Sequence, residues 1–105
     1  MGPRLVTPEA NMRKSARVSL NAEVTLRRPG KSIYRVIAFD ISPDGCNLEF
    51  IERPDLGESL WVKFEGMEQL EARVCRTSGF TAGVEFQRSI HPAVFTMLVR
   101  KLSQP

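Results

Sequence analysis

The sequence predicts a mainly β fold: a small six-stranded antiparallel β-barrel or β-sandwich with one α-helix at its C-terminal end. Three observations carry this. Short apolar–polar alternations recur from residue 18 to residue 86, turn signals separate them every 8 to 12 residues, and the apolar period changes from two to three-and-four only at the end. The chain has 105 residues, enough for one domain. It is 42% hydrophobic and 26% charged, ordinary for a globular protein.

Residues 1–11 hold Gly2, Pro3 and Pro8 with little periodicity and are expected to form a flexible arm. Alternation then begins. Val18, Leu20, Ala22, Val24 and Leu26 share one face of the first strand, and Ser19, Asn21, Glu23, Thr25 and Arg27 share the other. Arg28-Pro29-Gly30-Lys31 reads as a turn. A β-branched and aromatic second strand covers 33–39, and Pro43 and Gly45 are expected to break it.

Cys46, Leu48 and Phe50 form the inward face of the third strand, so Cys46 reads as a small core residue. Leu60, Val62 and Phe64 mark the fourth strand, with Trp61 out of phase and expected to pack under the helix. Leu70, Ala72 and Val74 mark the fifth. Residues 78–83 read as a glycine-flanked turn before a short sixth strand at 84–86.

Ile90, Val94, Phe95, Leu98, Val99 and Leu102 then recur at helical spacing. Pro92 suits a first helical turn, where a missing N–H costs little, and His91 is placed to cap it. Arg100 and Lys101 suit the last turn, at the negative end of the helix dipole. Closing the strands into a barrel leaves no unpaired edge.

The composition narrows the function. No apolar run approaches the roughly 20 residues of a membrane span, and residues 1–10 lack the apolar segment of a secretory signal. The expected location is therefore cytoplasmic, with no membrane insertion. Cys46 and Cys75 then read as free thiols rather than a disulfide. One histidine and two scattered cysteines make a poor zinc site, and no nucleophile–base pair is evident. Neither a metal, nor a cofactor, nor catalysis is expected.

The net charge of +3 conceals an asymmetry. Residues 1–36 carry eight bases and two acids, 37–75 carry three bases and nine acids, and the last thirty residues return to +3. The basic N-terminal region is expected to meet an anion. A long nucleic acid is a poorer fit, because the bases form no continuous face and aromatic platforms are few.

Two segments stand out chemically. Arg13-Lys-Ser-Ala-Arg17 places two arginines four apart just before the first strand. Asp40-Ile-Ser-Pro-Asp-Gly45 is a D-x-S-x-x-G run between the second and third strands. Each alone has an ordinary reading, a solvated charged tract and a turn. In this order, 23 residues apart from Arg17 to Asp40 and set in this strand pattern, they resemble the PilZ domain, with its R-x-x-x-R and (D/N)-x-S-x-x-G motifs. Gly57-Glu-Ser-Leu60 and Gly83-Val-Glu-Phe86 are similar to the family's downstream pattern. The resemblance spans nearly the whole chain, with residues 12–103 as the domain.

The resemblance implies a split barrel that binds the bacterial second messenger cyclic di-GMP. It makes Arg13, Arg17, Asp40, Ser42 and Gly45 the candidate ligand-binding residues. Arg13 and Arg17 would grip phosphate and guanine acceptor edges, since guanidinium donors form a planar fork suited to phosphate. Asp40 would accept from guanine N1 and N2, and the Ser42 hydroxyl would donate to the base or hold the loop. Gly45 is expected to supply positive φ and room for the ligand.

Many members of the family carry a tryptophan where this chain has Arg76, which reads as a solvated strand-end residue, with a guanidinium stacked on a base as the less favoured alternative. Lys14 is expected to add only to the field, and Arg35 is undecided. The expected function is a receptor or adaptor, monomeric or homodimeric. It would signal to a downstream protein when ligand orders the N-terminal arginine segment. The alternative is a PilZ-like interaction adaptor that works without nucleotide.

Overall fold

In the computed structural model, which describes residues 17–103, the chain forms six strands and one helix. The strands are β1 (Val18–Arg27), β2 (Tyr34–Ser42), β3 (Gly45–Glu49), β4 (Ser59–Lys63), β5 (Leu70–Ser78) and β6 (Thr81–Phe86). They close into an antiparallel barrel in the order β1-β2-β3-β6-β5-β4. Helix α1 (Pro92–Leu102) follows. The arm expected over 1–11, and Arg13 and Lys14 with it, lie outside the described residues.

The alternation read in the sequence becomes the inner face of the barrel. Val24, Leu26, Val36, Ala38, Ile41, Leu48, Leu60, Val62, Ala72 and Val74 are buried in one core, and Cys46 is among them. Burying such side chains is worth about 1.5–3 kcal/mol each for the larger ones. Helix α1 adds Leu98, with Phe95, Val99 and Leu102 packed partly against the core. Val94, expected on the buried stripe, is exposed. The His91 imidazole accepts from the Ala93 N–H and caps α1, with Pro92 in the first turn.

Strand bounds differ where turns are tighter than composition suggests. Strand β2 runs on through Asp40-Ile41-Ser42, because the break is only the two residues Pro43 and Asp44, and Ser42 pairs directly with Gly45. Likewise β5 extends to Ser78 and β6 begins at Thr81, leaving Gly79-Phe80 as the turn. Ile33 falls outside β2 and is 61% exposed.

Arg28 departs most from expectation. It opens the turn read from the sequence, with Lys31 N–H donating to its carbonyl, yet its side chain is only 1% exposed. Its guanidinium donates to both Glu58 oxygens at 2.6 and 2.8 Å, to the Tyr34 hydroxyl at 3.1 Å and to the Glu52 and Arg53 carbonyls. It also lies 5.2 Å from the Phe50 ring centre. These bonds tie the β1–β2 and β3–β4 connections together at one end of the barrel. Trp61 differs too: it lies outside the core cluster, half-buried, with the Arg27 guanidinium 4.3 Å over its ring.

Candidate functional site

At the start of β1, Ser19 pairs with Asp40 of β2, Asp40 with Asn47 of β3, Asn47 with Gly83 of β6, and Gly83 with Arg76 of β5. This row crosses five strands at the opposite end of β1 from Arg28. Three of its side chains, with Arg17 just before β1, are joined by hydrogen bonds. Arg17 Nη1 donates to Asp40 Oδ1 at 2.6 Å. Asn47 Nδ2 donates to both Asp40 oxygens at 2.9 Å, and Arg76 Nη2 donates to Asn47 Oδ1 at 3.1 Å.

The row owes its outward direction to register shifts. Strict alternation from Val36 and Ala38 would turn Asp40 into the barrel. One extra residue in β2 between Ala38 and Asp40, measured against β3, resets the phase. A second shift in β5, between Val74 and Arg76, does the same for Arg76. A third lies in β1 between Ser19 and Ala22. Bulges of this kind re-aim side chains and gather beside functional sites.

Gly83 has its own part. A Cβ there would meet Arg76 Nη2 at 2.6 Å, Arg76 Cζ at 2.7 Å and Asn47 Oδ1 at 3.0 Å. The Arg76 guanidinium therefore rests over the bare Gly83 backbone.

The D-x-S-x-x-G loop is held from within. Ser42 is buried; its hydroxyl accepts from the Asp44 N–H at 3.2 Å and lies 3.5 Å from the Gly45 carbonyl oxygen. Of the two roles weighed for Ser42, these bonds are those of holding the loop. Gly45 corrects an expectation: its φ is not positive. A Cβ there would run into the Val84 carbonyl oxygen of β6, so close strand approach is what requires glycine. The loop is also tied to the segment before α1. Phe86 N–H donates to the Asp44 carbonyl, Ile90 N–H to the Pro43 carbonyl, and the Ser89 hydroxyl to the Asp44 carboxylate.

Of the five residues drawn from the sequence, Arg17 and Asp40 meet directly, and Ser42 and Gly45 form the hairpin beside them. Arg13 lies outside the described residues. Arg76, read as a solvated strand-end residue, is exposed as expected and is also bonded into the row through Asn47. Asn47 escaped sequence reasoning; its one signal was a polar residue on the outward phase of β3, next to the motif. Arg35 belongs elsewhere, in an exposed pair with Glu23 at 3.0 Å. Cys46 lies beneath the site, where burial pushes its thiol far above the ordinary range; the Asp40 charge adds to this and Arg17 opposes it. Among the described residues no cluster suits a metal ion, and no helix is long and apolar enough to cross a membrane.

The PilZ domain family profile matches residues 11–104. The chain belongs to the PilZ family. PilZ domains are generally cyclic di-GMP receptors, not enzymes. Among solved structures, the PilZ domain of CeSA from a cellulose-synthesizing bacterium superposes with a TM-score of 0.60 at 16% identity. The match covers 84% of this chain and 95% of that one. At that identity the likeness speaks for the barrel alone. No curated protein matches the chain by sequence.

Proposed function

We propose that this PilZ domain is a cytosolic receptor for cyclic di-GMP and catalyses nothing. The observation that carries the reading is the 2.6 Å pair between Arg17 and Asp40, which joins the two motifs at one place on the barrel. An arginine suited to phosphate and a carboxylate suited to the N1 and N2 donors of guanine then stand side by side, as a ligand with both groups requires. Arg13, four residues before Arg17, supplies the second guanidinium of the clasp, and Ser42 and Gly45 shape the loop that presents Asp40. Ligand orders the segment around Arg13 and Arg17, and the surface so formed is read by a downstream protein.

Calorimetric titration with cyclic di-GMP tests this. Saturable binding that Arg13→Ala, Arg17→Ala and Asp40→Ala each weaken at least tenfold supports the receptor. No heat at high ligand concentration rejects it and leaves a nucleotide-independent adaptor. Amide exchange over 12–18 tests the ordering step, and protection unchanged by ligand would reject it.

A further inference from the structure

The geometry points to Arg76 as a positioning residue that sets guanine specificity through Asn47, with bare Gly83 as the seat that makes this possible. The inference rests on the cyclic di-GMP reading and deepens it.

Asn47 stands between an acceptor and a donor. The Asp40 carboxylate can only accept, so it takes the Asn47 NH2 group; the Arg76 guanidinium can only donate, so it takes the Asn47 carbonyl oxygen. The amide therefore has one satisfied orientation. In that orientation Nδ2 is 2.9 Å from each Asp40 oxygen, which restrains the turning of the carboxylate. A carboxylate so restrained offers its remaining lone pairs to the N1–H and N2–H of guanine together. One free to rotate favours the pair less, and the 2-amino group contributes less to binding.

Arg76 acts through a contact rather than through charge alone. Its guanidinium occupies the space a side chain at position 83 would fill. Gly83 has no positive φ, and the atoms its Cβ would strike are the mobile ends of Arg76 and Asn47. Gly83→Ala thus removes the seat while keeping the backbone, both charges and every polar side chain of the row.

The test compares wild type, Gly83→Ala, Arg76→Ala and the double variant, titrated with cyclic di-GMP and with cyclic di-IMP, which lacks only the 2-amino groups. Wild type is expected to prefer cyclic di-GMP about tenfold, the scale of one well-placed charge-assisted hydrogen bond. Each single variant should narrow that preference to under about threefold, with little change in melting temperature. The double variant should match Arg76→Ala, because both changes act through one guanidinium.

No binding by wild type overturns the receptor reading and this role with it. If wild type binds, the role alone falls on any of three results: no guanine preference, a preference unchanged in the variants, or effects that add in the double variant. The last would mean that the new methyl group blocks ligand directly.

Discussion

Removing the charge of Glu58 should unfold this domain at a markedly lower temperature without touching the Arg17–Asp40 row. Arg28 is 1% exposed and Glu58 15%, with N–O distances of 2.6 and 2.8 Å. Glu58→Gln keeps the shape and one acceptor but leaves a buried guanidinium without its countercharge. Breaking a buried pair from one side costs about 3–5 kcal/mol. The Tyr34 hydroxyl and two carbonyls still accept from Arg28, which favours the lower end, about 3 kcal/mol. For a domain this size that lowers the melting temperature by about 15 °C.

The exposed pair of Arg35 and Glu23 is the control. Both side chains are more than half exposed, so Glu23→Gln should cost under about 1 kcal/mol. Circular dichroism melts at pH 7 make the comparison. A Glu58→Gln melt within about 5 °C of wild type would refute the account, by placing the buried pair on the footing of a surface one.

The pH dependence has a definite sign. Burial pushes the Glu58 carboxyl up, but hydrogen bonds from Arg28 and the Asp55 N–H, with the charges of Arg28 and Lys31, outweigh it and hold the group below its ordinary 4.5. A carboxyl lowered by folding stabilises the fold fully above its unfolded value, and that contribution is lost as pH falls through the folded one. The gap between wild type and Glu58→Gln should therefore be full at neutral pH and close on acidification below about 4.5.

Two further outcomes follow from the packing around the site. Gly45→Ala drives its methyl group into the Val84 carbonyl, which is backbone and cannot swing aside, so a loss of about 2 kcal/mol or more is expected in denaturant titration; Gly83→Ala, which meets only side-chain ends, should unfold near wild type. A thiol reagent should modify one cysteine per native chain, exposed Cys75, and reach Cys46 only after denaturation, since burial keeps that thiol protonated and covered; two rapidly reacting thiols in the native protein would contradict the burial of Cys46.

The barrel was legible because its inner face is written as alternation: Ala22, Val24 and Leu26, or Leu60 and Val62, point inward from period two alone. The helix was legible from its change of period and its His91-Pro92 start. The polar row was legible only where a motif marked it. A bulge leaves no trace in period-two counting; it breaks the count, and Arg76 by strict alternation from Val74 falls on the wrong face. The turn at Arg28 was read correctly, but the burial of its side chain was not legible, for a different reason. A cation before Pro-Gly looks like turn decoration, and its burial depends on Glu58, thirty residues away, which no local pattern signals.

The same long-range pairing gives the charge asymmetry a second meaning. Arg17 bonds Asp40, Arg28 bonds Glu58 and Lys31 faces Glu52, so three bases of the first 36 residues are matched by acids of the central stretch. Arg35 is paired with Glu23, and Arg27 covers Trp61. Much of the apparent cationic surplus is the fold pairing with itself, and an anion meets a far more local feature than +6. At the site that feature is a partly exposed pair, Arg17 at 38% and Asp40 at 16%. Such a pair is worth no more than about 1 kcal/mol, so opening it is cheap. A ligand that brings phosphate to Arg17 and a guanine edge to Asp40 replaces it with two charge-assisted interactions of about 1.5–3 kcal/mol each. Under the proposed receptor reading, the pairing therefore keeps donor and acceptor together before ligand arrives, at a strength that ligand can exceed.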